Sequence, residues 1–182
     1  GLMKPDSGEV FVDGEPVTGL AERKLTSVRR KVGMLFQSAA LFDSMSVEEN
    51  LAFPLQEQGI HDMKIINERV AEALEMVDLP GEQKKAPSDL SGGMRKRVGL
   101  ARTIIGKPRC ILYDEPTTGL DPITTDSINH LIRRLQRRLG VTSIVVTHDM
   151  KTAFHCADCV AFLHEGRVHF YGTPAEMRAS RD

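Results

Sequence analysis

Residues 109–122 read RCILYDEPTTGLDP. Residues 109–113 form a mostly apolar run without alternation, the pattern of a parallel strand covered on both faces. The run ends on two adjacent carboxylates, Asp114 and Glu115, after which the chain turns and starts a helix with Asp121 as cap and Pro122 at its first position. Residues 32–36 and 143–147 share the same unbroken apolar character. Three such runs separated by helical patterns predict an α/β fold with a parallel sheet.

Outward from that sheet, residues 8–17 read as a short hairpin turning at Asp13-Gly14, and residues 160–171 as a second hairpin turning at Glu165-Gly166. These are antiparallel edges. About 70 residues of helical pattern lie between the first two core strands, far more than a crossover needs, and predict an inserted helical subdomain. In it Val70, Ala73, Leu74 and Val77 share one helical face, and Met94, Val98, Ala101 and Ile105 share another. A later helix turns Ile128, Leu131, Ile132, Leu135 and Leu139 inward and Arg133, Arg134, Arg137 and Arg138 outward, a solvated face with aliphatic stems over the apolar stripe.

Composition excludes several function classes. With 24 basic and 25 acidic side chains there is no global field to draw nucleic acid or anionic lipid, and no nucleic-acid partner is expected. No run of about 18 apolar residues spans a bilayer, and residues 1–6 resemble neither a signal nor a transit peptide. Three cysteines do not make a disulfide framework, and Cys156-x-x-Cys159 lacks the second ligand pair or thioredoxin-like context that would give it a metal or redox role.

Ligands of open α/β sheets gather at the carboxyl ends of the strands. Gln37 follows the first core strand, Asp114 and Glu115 the second, and Thr147-His148-Asp149 the third. A carboxylate pair leaving a buried strand needs compensating charge, and Mg²⁺ on nucleotide phosphate supplies it in phosphoryl-transfer proteins. On that reading Asp114 holds the metal, Glu115 polarises a water and His148 hydrogen-bonds the terminal phosphate. Leu90-Ser91-Gly92-Gly93 opens a helix with a serine cap and two glycines, where unpaired backbone N–H groups suit a phosphate. Asp121 is explained by capping, yet it stands close enough behind the carboxylates to reach a subunit interface. Gly106-Lys107 mimics a Walker A loop but fails: position 101 is Ala, Pro108 replaces the hydroxyl residue, and the segment runs helix to strand.

Together these motifs resemble, in order and over essentially the whole chain, the ATP-binding-cassette (ABC) transporter family. Gln37 matches its Q-loop, Leu90 to Met94 its signature motif, Cys110 to Asp114 its Walker B strand, Glu115 its catalytic base, Gly119-Leu120-Asp121 its D-loop and His148 its switch histidine. Met94 stands where the family usually has Gln, and no segment matches the Walker A loop or the adenine-stacking aromatic. The resemblance implies a P-loop NTPase (RecA-like) fold, N-terminally truncated. Residues 1–37 would be the remnant of the N-terminal core and antiparallel part, 38–105 the helical subdomain, and 106–182 the C-terminal half of the core. It implies ATP and Mg²⁺ as cofactors, with Asp114 and Gln37 at the metal and Gln37 also catalytic. It further implies a head-to-tail homodimer in which Ser91, Gly92, Gly93 and Asp121 act across the interface. The 182 residues alone are then expected to bind ATP negligibly.

Residues 34–42 and 50–55, with Met94, further resemble ATPases of the Mla/MCE-type phospholipid transporters. That likeness implies a lipid substrate, transmembrane permease subunits as partners, and a peripheral place on the cytoplasmic face of the inner membrane. A soluble ABC ATPase and a degenerate, non-catalytic cassette are the alternatives.

Overall fold

The computed structural model describes residues 2–180; Gly1, the start of the segment expected to follow a P-loop helix, lies outside them, as do the last two residues of the proposed C-terminal half. In chain order the elements are β1 (Phe11–Val12), β2 (Glu15–Pro16), α1 (Glu22–Lys31), β3 (Val32–Leu35), α2 (Val47–Glu57), α3 (Met63–Met76), a 3₁₀ turn (Pro87–Asp89) and α4 (Gly92–Ile104). They continue with β4 (Cys110–Asp114), α5 (Pro122–Leu139), β5 (Thr142–Val146), α6 (Met150–Cys156), β6 (Val160–His164), β7 (Arg167–Gly172) and α7 (Pro174–Ala179).

The three apolar runs form one parallel sheet in the order β3-β4-β5. Its register places Leu35 beside Tyr113 and Tyr113 beside Val145. β1 with β2 and β6 with β7 form the two antiparallel hairpins, the second with a register break between Phe162 and Leu163. Among the described residues no helix is long and apolar enough to cross a membrane.

One side of the pleat carries the core. Leu35, Ile111 and Tyr113 join Leu51 and Leu55 of α2, Val70 and Leu74 of α3, Val98, Leu100 and Ala101 of α4, and Ile128, Leu131, Ile132 and Leu135 of α5 in one buried cluster. Fully burying each such side chain contributes about 1.5–3 kcal/mol. The other side departs from the sequence reading. The row Met34, Leu112 and Ile144 is only half-buried to exposed, and Ile144 and Val146 keep 52% and 60% of their surface in solvent. Both faces were expected to be covered; among the described residues no buried cluster covers this one. The alternation of burial along β4 and β5 is the consequence.

Leu139 is a second departure. It sits in the last turn of α5, where Gly140 ends the helix in the left-handed conformation, and it remains exposed. The arginines of α5 are less idle than a solvated face implies. Arg133 binds Asp158 and the Cys156 carbonyl, and Arg134 joins Arg97 on the carboxylate of Asp78. Cys156 is buried and free, its thiol pushed up by burial to about 11, while Cys159 is exposed and free.

A buried polar anchor and a close helix approach set the geometry that matters for the site. Asn50 of α2 accepts from the Phe42 N–H at 2.8 Å, and its amide nitrogen lies 3.0–3.1 Å from the carbonyls of Phe42, Met45 and Ser46, fixing the loop after β3. Gly99 lets α4 lie directly on that loop's base. A Cβ there would stand 2.8 Å from Leu35 Cδ1, 2.9 Å from Ala39 Cβ and 3.4 Å from the Ala39 Cα. The helix-propensity gain of Gly99→Ala, about 1 kcal/mol, is therefore outweighed by overpacking of about 1–3 kcal/mol. Gly99→Ala is expected to lower the urea midpoint without changing its slope, measured by circular dichroism.

Candidate active site

The carboxyl ends of the three parallel strands converge on one cluster. Asp114, the last residue of β4, pairs with Val146, and Glu115 donates its N–H to the Val146 carbonyl at 2.9 Å. Glu115 then leaves the strand with φ of 45°, a left-handed conformation costing a residue with a side chain about 1–3 kcal/mol. Strain of this kind persists only where surrounding bonds over-determine it. Here they do. Glu115 Oε1 accepts from the His148 N–H at 3.0 Å and contacts His148 Nδ1 at 2.8 Å, while Oε2 accepts from Thr118 Oγ1 at 3.1 Å and Thr147 Oγ1 at 3.5 Å.

Lys96 of α4 closes the cluster from beneath. It is 5% exposed, and its ammonium donates to the Gln37 carbonyl and, at 3.2 Å, to the Glu115 carbonyl. One buried cation thus ties the end of β3 to the end of β4. Burial lowers the Lys96 pKa, and the charges of Asp114 and Glu115 work against that shift. Partial burial pushes the Glu115 carboxyl up, but the His148 and Thr118 hydrogen bonds and the His148 charge outweigh it, so the net shift is downward. The same contact raises His148, whose ring is otherwise exposed.

The strand ends therefore bring Glu115 and His148 into contact, with Asp114 next to Glu115 in the chain and the Gln37 backbone tied to Glu115 through Lys96. The carboxylate of Asp114 and the amide oxygen of Gln37 are hard oxygen donors, the set that Mg²⁺ takes, and neither makes a hydrogen bond among the described residues. With Nδ1 on Glu115, the Nε2 of His148 is left for another partner.

The other predicted residues form a separate group. Ser91 caps α4 by accepting from the Met94 N–H at 3.2 Å, and Asp121 caps α5 by accepting from the N–H groups of Ile123 and Thr124 at 3.0 Å. The two helix starts abut. A Cβ on Gly93 would lie 2.6 Å from Thr124 Cγ2, and one on Gly92 3.5 Å from Leu120 Cδ2. The close contact of Gly93 with Thr124 of α5 gives this glycine a packing reason within the chain. Among the described residues no hydrogen bond or ion pair joins Ser91, Gly92, Gly93 or Asp121 to the Glu115 cluster. Gly106-Lys107 follows the end of α4 and leads through Pro108 into β4, a helix end as expected.

Sequence reasoning missed Lys96 and the hydrogen bonds of Thr118 and Thr147 to Glu115. A signal existed for Lys96: it shares a helical face with Gly92, Gly99 and Thr103, and a lone cation on a stripe of small residues must find its partners in another element.

Comparison with known proteins bears on this geometry. A family model described as ABC transporter matches residues 1–118. The methionine import ATP-binding protein MetN of Carboxydothermus hydrogenoformans is 44% identical over 92% of this chain and 50% of its own length. The intermembrane phospholipid transport system ATP-binding protein MlaF of Haemophilus influenzae is 41% identical over 100% of this chain and 69% of its own length. The chain spans about half the length of the MetN relatives it matches. Among solved structures, cbiO1 from Clostridium perfringens, part of the ABC transporter complex cbiONQ, aligns with TM-score 0.91 at 32% identity, covering 100% of this chain and 72% of its own. The dimeric post-hydrolysis state of the cassette MJ0796 bound to ADP and Pi aligns with TM-score 0.84 at 33% identity, covering 95% and 76%.

The Glu115–His148 pair carries a pH signature. The lowered Glu115 pKa stabilises the fold above the ordinary carboxyl value of 4.5, and this is lost as pH falls through the lowered pKa. The raised His148 pKa stabilises below the ordinary imidazole value of 6.5, and this is lost as pH rises through the raised pKa. The pair is complete between those two ordinary values. In an NMR titration His148 is expected to titrate above 6.5 and to fall back toward it in Glu115→Gln.

Proposed function

The chain belongs to the ABC transporter ATP-binding family, and from that premise we propose that it serves in the ATP-binding and hydrolysing subunit of a transporter, with ATP at a dimer interface, that powers lipid transport through membrane permease subunits, the 182 residues by themselves binding ATP negligibly. The observation that carries the reading is Glu115, a carboxylate fixed at a strand end by His148, Thr118 and Thr147 beside Asp114. Asp114 and Gln37 would hold Mg²⁺, which when bound neutralises phosphate charge. Glu115 orients and polarises the attacking water. His148, anchored through Nδ1, presents Nε2 to the terminal phosphate, and Gln37, fixed through its backbone by Lys96, completes the metal and water side.

Ser91, Gly92 and Gly93 present the N-terminus of α4, and Asp121 lies at the start of the adjoining α5. Their separation from the Glu115 cluster supports action in trans, in a head-to-tail dimer where one copy's α4 meets nucleotide held by the other. MJ0796 is dimeric in its solved structures. The division into residues 1–37, 38–105 and 106–182 belongs to the same proposal, as does a place at the cytoplasmic face of the inner membrane beside the permease.

The lipid assignment rests on residues 34–42 and 50–55 and on what they build. Phe36, Phe42 and Phe53 are exposed and line an open groove with Ala40, Pro54 and Arg102, with Phe42 and Phe53 edge to face at 5.2 Å and Arg102 over the Phe42 ring. An exposed aromatic groove beside Gln37 suits a helix of the permease. A second reading, methionine import, is favoured by the 44% and 47% identities to MetN proteins.

Glu115→Gln is expected to reduce ATP turnover of the assembled transporter by at least about a hundredfold, the span of a general acid–base contribution, while nucleotide binding persists. Turnover within a few fold of wild type would remove Glu115 from the mechanism. Proteoliposomes assayed in parallel for fluorescent phospholipid transfer and for radiolabelled methionine uptake separate the substrates. ATP-dependent lipid transfer without methionine uptake is the expected result.

A further inference from the structure

Away from the strand ends, three metal-ligating side chains meet on the outer surface of the α5–α6 seam. Asp126 and His130 lie one turn apart on α5, with Oδ2 and Nε2 3.5 Å apart and both side chains 66% exposed. His155 of α6, half-buried, stands across the seam with its ring centroid 4.4 Å from that of His130 and the two planes at 82°. One ligand atom from each of the three lies within 4.8 Å of the others. Nothing in the proposed ATPase chemistry uses any of them.

We propose that Asp126, His130 and His155 form a binding site for a late first-row divalent cation, zinc above all, that cross-links α5 to α6. Two imidazoles and a carboxylate are the ligand types of Zn²⁺, Co²⁺ and Ni²⁺, whereas Mg²⁺ takes oxygen donors and keeps its waters. Tetrahedral bonds of about 2.0–2.1 Å require ligand atoms roughly 3.3 Å apart. The Asp126–His130 pair is already near that spacing, and a ligand atom of His155 lies within 4.8 Å of both, so a side-chain adjustment of His155 would complete the set. Three protein ligands leave a fourth position for water. The competing cation nearest in sequence, Arg133, is committed elsewhere, to Asp158 and to the Cys156 carbonyl at 3.1 Å.

The position gives the site a consequence. Beneath it the seam is already stitched by buried polar contacts: Asn129 Nδ2 donates to Thr152 Oγ1 at 3.1 Å, and that hydroxyl lies 3.2 Å from Thr117 Oγ1. Thr117 follows Glu115 by two residues, and Asp149, the cap of α6, follows His148 directly. A cation at the top of the seam therefore stiffens the two segments that hold Glu115 against His148.

The test uses the 182-residue chain, metal-stripped and titrated with Zn²⁺ by calorimetry, with Co²⁺ absorption as a direct reading of ligand geometry. The expected result is one zinc per chain, unaffected by excess Mg²⁺, with a zinc-dependent rise in melting temperature and tetrahedral Co²⁺ bands. His130→Ala and His155→Ala should each weaken binding by roughly tenfold or more, since even outer-shell changes cost 10- to 100-fold. His130 is exposed, so His130→Ala keeps the fold and separates loss of a ligand from loss of structure. Zinc affinity unchanged in both variants would overturn the proposal. So would binding that follows His164→Ala/His169→Ala, the other close histidine pair, with rings 5.3 Å apart.

Discussion

A single buried ammonium organises this molecule. Lys96, on a helix packed under the sheet, bridges the carbonyls of Gln37 and Glu115, which lie two residues and one residue beyond two neighbouring parallel strands. Both carbonyls lie past the end of the strand ladder; Lys96 donates to each, and the Glu115 carbonyl also accepts from the Thr118 N–H at 3.3 Å. The ammonium in turn is buried only because it has those acceptors and the nearby charges of Asp114 and Glu115. Through these two contacts one side chain of α4 holds the ends of β3 and β4 in one relation. Gly99 permits that relation, because any side chain there would push α4 off Leu35 and Ala39.

Everything proposed for catalysis sits on this frame. The strained backbone at Glu115 turns its carboxylate toward His148, and the third strand supplies Thr147 and His148 from the other side. The residues proposed to act across a dimer are placed differently. Ser91 and Asp121 spend their side chains on capping, which rigidifies two adjoining helix starts, and Gly93 lets those starts touch. α4 thus carries a surface at its first turn and a buried anchor at Lys96, little more than one turn later. That layout suits an element that must report nucleotide contact at one end to the strand ends at the other.

Much of this could be read from the sequence because it is written in local patterns. The three apolar runs lie within a residue or two of β3, β4 and β5, the hairpins turn at Asp13-Gly14 and Glu165-Gly166, and the heptad-like stripes of α3, α4 and α5 are the buried ones. What could not be read depends on tertiary neighbours. The stripe of small residues around Lys96 marks it as a cation in need of partners, but which carbonyls it takes is settled only once β3 and β4 are placed beside it. Leu139 fits the α5 stripe but falls in its last turn, beyond the core. The helix α1 buries only Leu25 and Val28, a stripe too thin to stand out, and α6 is too short to show a period. An apolar strand does not say which of its faces is covered, and Ile144 shows the difference.

The central claim is that the ends of the three parallel strands, fixed by Lys96, form the site where metal-bound nucleotide reacts. Paramagnetic relaxation by Mn²⁺ with ATP tests it directly, because Mn²⁺ replaces Mg²⁺ at oxygen ligands and broadens nearby amide signals even when binding is weak. The account predicts the strongest broadening at Gln37, Asp114, Glu115 and His148. Broadening that leaves those four residues untouched while lines elsewhere disappear would contradict it.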